Sequence, residues 1–82
     1  MILRHSLAMG WRECIESDPQ ILRGKPGVKA TCIPVALILG YLAAGKSASE
    51  ILQEYPDLQL VDVAASLDYA RDLADFEAVA TA

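Results

Sequence analysis

The chain is short of the residues that build chemical sites. Its 82 residues include one histidine, His5, and two cysteines, Cys14 and Cys32. No C-x-x-C pair occurs, the cysteines are far apart in sequence, and no second histidine completes a zinc-ligand set. Neither a metal site nor a disulfide framework is expected, and the thiols read as small reduced hydrophobes. His5 has no carboxylate partner at a readable spacing, and no G-x-S-x-G or phosphate-loop signature is present. The chain is therefore not expected to be an enzyme or to carry a cofactor. Long apolar runs are missing too: nothing approaches the roughly 18 residues that span a bilayer. Residues 1–10 lack a basic start followed by an apolar core and cleavage site, so the expected location is the cytoplasm, with no membrane partner.

Basic residues are scarce in one half only. Residues 1–46 carry Arg4, Arg12, Arg23, Lys25, Lys29 and Lys46 against Glu13, Glu16 and Asp18. Residues 47–82 carry Arg71 alone against eight acids, Glu50, Glu54, Asp57, Asp62, Asp68, Asp72, Asp75 and Glu77, within a net charge of −4. Such polarity bears on partners and association rather than on the fold.

What the chain has in quantity is aliphatic side chains: 54% of it is hydrophobic but only 6% aromatic. That balance favours packed helices over a sandwich or barrel. A chain this short buries only about 60 to 65% of its unfolded surface, which makes a monomer marginal and a homodimer the expected state.

Residues 1–12 read as an arm or short helix and residues 13–76 as the domain, with 77–82 as a frayed tail. Glu13 to Ser17 alternates polar and apolar residues like a short strand until Asp18-Pro19 interrupts it. G-V-K-A-T-C-I, with Val28, Ala30 and Cys32 alternating against Lys29 and Thr31, reads as a second strand ended by Pro34. Pro34 suits the first turn of a helix over 34–44, apolar on nearly every face and therefore central. Gly45 supplies its left-handed cap. Ser47 and Glu50 form an S-x-x-E capping box for a helix over 48–55, stopped by Pro56. Leu60, Val63, Leu67, Ala70 and Leu73 or Ala74 then recur at helical spacing, with Ala64 and Phe76 widening the stripe of a helix over 60–75. Residues 47–70 thus have the layout of a helix-turn-helix, whose second helix reads DNA in many proteins.

The ordered series D-P, G-K-P, T-C-I-P-V, a helix ending in A-G, E-I-L-Q-E-Y-P-D-L and L-D-Y-A, spread over residues 14–70, resembles the bacterial domain-of-unknown-function family 433. The resemblance implies a mainly α, homeodomain-like helix-turn-helix bundle with a short N-terminal β element. It also implies an antitoxin-like role: holding a PIN-like nuclease toxin and binding operator DNA as a dimer. The chain departs from the family pattern at Arg23 and Ala30, where the family tends to have glycine, and at Cys32, where it tends to have arginine. The change at Ala30 is expected to alter the strand's bend, and that at Cys32 removes a five-donor group.

For duplex DNA, the second helix would offer Val61, Asp62, Ala65, Ser66 and Tyr69, and its acids would be repelled by phosphates. The expected DNA contacts are therefore Ser66 and Tyr69 together with the basic residues Arg23, Lys25, Lys29 and Lys46. For a protein partner with a basic surface, the acids Asp62, Asp68, Asp72 and Asp75 are the expected contacts. The alternative is a structural or adaptor domain that keeps the fold without DNA binding.

Overall fold

The structure, a computed structural model, describes residues 10–81, with side chains described to residue 75. His5 and most of the expected arm lie outside the described residues, as do the side chains of Phe76 and Glu77. The fold is mainly helical with a small antiparallel sheet, in the order of a short 3-10 helix at Gly10–Glu13, β1 (Ile15–Glu16), a second 3-10 turn at Leu22–Gly24, β2 (Gly27–Val28), β3 (Ile33–Pro34), α1 (Val35–Ala43), α2 (Ala48–Glu54) and α3 (Leu60–Thr81). None of the described helices is long and apolar enough to cross a membrane.

The sheet has the order β1-β2-β3, with Ile15 opposite Val28 and Val28 opposite Ile33. The three strands pair with one another along the chain. The second expected strand is in fact a hairpin: β2 and β3 are joined by a turn at residues 29–32. The alternation of V-K-A-T-C-I does not disclose it, because Thr31 makes the turn locally. Its hydroxyl donates to the carbonyl of Val28 at 2.9 Å and accepts from the amide of Ile33 at 3.0 Å. Ala30 and Cys32 take φ of 66° and 59° to close it. The change at Ala30 is therefore expressed as strain, since Ala30 adopts the left-handed bend that glycine takes freely. Arg23, at φ 56°, is in the same position in the preceding turn. A left-handed residue with a Cβ costs about 1–2 kcal/mol. Ala30→Gly should stabilise the domain by about 0.5–1 kcal/mol after the unfolded chain's extra freedom is counted. A rise of several degrees in the thermal midpoint by circular dichroism is expected; an unchanged or lower midpoint would remove strain from the account.

Pro34 is the N-cap of α1 rather than its first residue, with extended φ −71° and ψ 143°, because it also closes β3 opposite Gly27. At the other end Gly45, at φ 94°, donates its amide to Leu42, and the Lys46 amide reaches back to Tyr41 at 3.0 Å. This pair of bonds satisfies two of the last carbonyls of α1 and reverses the chain. The capping box of α2 forms as the sequence implies: Ser47 N donates to Glu50 Oε1 at 2.7 Å, and Glu50 N to Ser47 Oγ at 3.1 Å. These bonds hold the Glu50 carboxyl below its usual range. Tyr55 and Pro56 then end the helix.

Two apolar clusters hold the elements together. Val28, Ile38, Ile51, Leu58 and Val63 join the sheet to all three helices. Ile15, Val35 and Ala65 form the other, roofed by Trp11, Cys14, Leu39 and Tyr69. Fully burying a side chain such as Ile38 or Ile51 stabilises by about 1.5–3 kcal/mol. The central role expected for α1 is only half realised: Val35 and Ile38 are buried, whereas Ala36, Leu37 and Gly40 face outward. α3 is turned relative to the expected stripe. Its buried face is Asp62, Val63, Ala65 and Ser66, while Leu60 and Leu67 are 62% and 51% exposed. The helix also continues past the expected end at 75 to Thr81, since D-F-E-A-V-A-T contains no glycine or proline to break it.

Candidate protein-interaction surface

The face of α3 that a DNA-reading helix would present is occupied from within. Ser66 has no exposed surface, and its hydroxyl donates to the Asp62 carbonyl at 3.0 Å. A serine so placed satisfies its own helix and contacts nothing outside. Ala65 is buried as well. Tyr69 is covered by Trp11, whose ring stands edge-on at 4.7 Å between centroids, a favourable aromatic geometry. Gly10 lets the covering segment turn, at φ 63°; a Cβ there would stand 3.1 Å from Asp68 Oδ2. Of the five early positions on this helix, only Val61 is left open, 55% exposed. Ser66 is thereby removed as a DNA contact, and Tyr69 serves packing under Trp11.

The four acids expected to meet a partner have separate roles. Asp62 is 9% exposed, and its carboxylate accepts the Gln59 amide at 2.8 Å, capping the first turn of α3. A carboxylate at that end also suits the helix dipole. Asp62 is therefore structural, not a contact. It also sits against Cys14: burial pushes the Cys14 thiol pKa up, and the charge of Asp62 and a hydrogen bond to it push further in the same direction. Asp68 pairs with Arg71 at 2.7 Å. Asp72 accepts the indole N–H of Trp11 at 2.8 Å. Asp75 is exposed and has no hydrogen bond or ion pair among the described residues.

The basic residues do not gather into one strip. Lys25 borders a small apolar cavity alongside Glu16 and Asp18. Lys29 lines a broader cleft with Glu13, Asp57 and Asp62. Lys46 stands over a shallow groove with Glu50, Glu54 and Tyr41, whose phenol is pushed up to about 12 by its hydrogen bond with Tyr55. Each of these lysines thus has carboxylates beside it, which lowers the attraction any of them can exert on a phosphate. Arg23 is exposed in its strained turn. Among the described residues no group of three or more His, Cys, Asp or Glu side chains could hold a metal ion.

What remains open on α3 is apolar surface beside acids. Leu60, Val61, Leu67 and Leu73 are each about half exposed or more, and every residue from Arg71 to Asp75 is exposed. Hydropathy periodicity misassigns this face, because the leucines lie on the exposed side while the core side carries Asp62 and Ser66 beside Val63 and Ala65. The one available clue was Asp62, three residues after Gln59, where an acid acts as an N-terminal cap.

The comparisons agree with this architecture. A crystal structure of a DUF433 member from Anabaena variabilis superposes with a TM-score of 0.72 at 24% identity, covering 90% of this chain and 71% of that one, which shows a shared fold. An uncharacterized protein, y4eO, from Sinorhizobium fredii is 36% identical over 59 residues, 72% of this chain. The aligned part is 27% of that relative's length, so this chain corresponds to a fraction of it. The sequence profile of the protein family of unknown function DUF433 matches residues 15–70, more than half of the chain, and the protein belongs to that family.

Proposed function

We propose that the protein is an antitoxin-like interaction module, acting in the cytoplasm rather than as a catalyst, that holds a basic partner of the PIN-like nuclease type through the distal part of α3. The observation that carries the reading is the run Arg71, Asp72, Leu73, Ala74, Asp75, all exposed, with Leu73 set between two carboxylates. An apolar anchor rimmed by acids suits a basic groove: the anchor supplies binding energy, and the charges steer the approach. The adaptor reading is favoured over operator binding by the burial of Ser66 and the covering of Tyr69. Operator DNA is left out of the proposal for that reason.

The test is titration of the protein against the product of the gene beside its own, the place a nuclease partner would be encoded, by calorimetry at two salt concentrations. Binding should weaken as salt rises, and Asp75→Lys should weaken it about tenfold, the effect of reversing a charge at an interface. No association at micromolar concentrations would end the proposal. A gel shift with DNA upstream of the gene is expected to stay negative at low salt, and a specific shift there would restore the operator-binding role.

A further inference from the structure

The opposite end of α3 borders a site that partner binding through residues 71–75 does not use. Where the first 3-10 helix, the turn at residues 29–32 and the connection into α3 meet, they leave a cleft of about 490 Å3. That is within the range of small-molecule sites, about 300–1,000 Å3. Its ionisable borders are Glu13, Cys14, Lys29, Asp57 and Asp62, which set three carboxylates against one ammonium. Asp62 is the unusual member. It is 9% exposed, and a carboxylate so far from water is ordinarily matched by a cation. Among the described residues none stands within ion-pair distance of it, Lys29 included. The Gln59 amide takes one oxygen at 2.8 Å, and the other donor brought to the carboxylate is the Cys14 thiol, which is a weak one.

We propose that this cleft binds a small aliphatic diamine or polyamine, with its ammonium groups against Asp62, Asp57 and Glu13 and its methylenes against Val61. A metal ion does not suit the site, because among the described residues no three His, Cys, Asp or Glu side chains converge closely enough to hold one. Carboxylates spread around a cleft suit instead positive groups spread along one molecule. Between the acids the border is apolar at Ala30 and at Val61, which is 55% exposed, and such surface is covered well by the stem of an aliphatic amine. The charges set the size of the ligand. Three carboxylates less the Lys29 ammonium leave two negative charges, which a diamine neutralises and a single amine does not. The burial that keeps Asp62 from a protein surface does not keep it from a primary ammonium, which is narrow enough to enter along the cleft. The buried carboxylate thereby gains the charged donor that the fold does not supply.

Calorimetric titration of the full chain at low salt with 1,4-diaminobutane, spermidine, n-butylamine and magnesium chloride tests it. One site with a dissociation constant of about 0.1–1 mM is expected for the diamine, and a lower one for spermidine. n-Butylamine has the stem with one charge and magnesium has the charge without a stem, so each should bind at least about fivefold more weakly. Asp57→Asn and Glu13→Gln, both at exposed positions, should each weaken the diamine about fivefold, and Lys29→Gln should tighten it by a similar factor. Glu54→Gln removes the same charge from a different groove and should leave the affinity nearly unchanged. Asp62 stays intact in all of these variants because it caps α3, and circular dichroism checks that each is folded. The absence of heat at about 10 mM diamine would overturn the proposal. So would equal binding of n-butylamine or magnesium, unchanged affinity in Asp57→Asn and Glu13→Gln, or an equal loss in Glu54→Gln.

Discussion

Asp62→Lys should abolish the cooperative thermal transition of the domain. Three costs add at this one position. The carboxylate that accepts the Gln59 amide at 2.8 Å is removed, and the loss of such a cap costs about 1 kcal/mol. A cation replaces an anion at the positive end of α3, costing up to about 1 kcal/mol more. The largest cost is burial: position 62 is only 9% exposed, and an ammonium without a buried partner costs several kcal/mol. A domain of this size has a total stability of about 4–12 kcal/mol, at roughly 0.05–0.15 kcal/mol per residue. Asp62→Asn separates the terms, since asparagine keeps an acceptor oxygen and introduces no charge; it should melt cooperatively with a loss of about 1 kcal/mol. If Asp62→Lys melts like the native chain, the buried cap is wrong. Asp68→Lys is the informative contrast, because it sacrifices only a surface pair with Arg71, worth about 0–1 kcal/mol.

How much of this was legible in the sequence depends on the range of the interaction. The capping box of Ser47 and Glu50, the glycine cap at Gly45 and the stop at Pro56 involve residues within a few positions of one another, and they form where the sequence places them. Local chemistry can also mislead at short range. The alternation of residues 28–33 has the period of a strand, yet the Thr31 hydroxyl bonds both flanking strands and folds the segment back. The rotation of α3 was illegible for another reason. Leucine at positions 60 and 67 outweighs serine at 66 on any hydropathy scale, but Ser66 satisfies its hydroxyl within the helix and is fully buried. The acids illustrate the limit most clearly. Counted along the sequence they form one acidic face; in the fold one caps a helix, one holds an arginine, one holds a tryptophan, and Asp75 is left for solvent. Charge totals therefore describe the field of the molecule without saying which charges are available to a partner.

Trp11→Ala should cost about 2–3 kcal/mol, the second largest effect expected of a single substitution here. Replacing a fully buried tryptophan by alanine costs about 3–5 kcal/mol, and Trp11 is half-buried, which places it below that range. The loss has identifiable parts. The edge-on contact with Tyr69 at 4.7 Å contributes about 0.5–1.5 kcal/mol beyond the area it buries. The indole N–H bond to Asp72 lies in an exposed setting, so it contributes toward the lower end of about 0.5–1.5 kcal/mol. Arg12, with its guanidinium 4.5 Å from the ring centre, adds a small cation-π term at the surface. The remainder comes from uncovering Ile15, Val35 and Ala65, the cluster that Trp11 roofs. Trp11→Phe keeps the roof and loses the N–H, so it should recover most of the stability. Urea unfolding followed by circular dichroism measures both variants. A Trp11→Ala midpoint equal to that of the native chain would mean that the segment at Gly10–Glu13 does not hold α3, and the covered face of Tyr69 would then have to be counted as open surface.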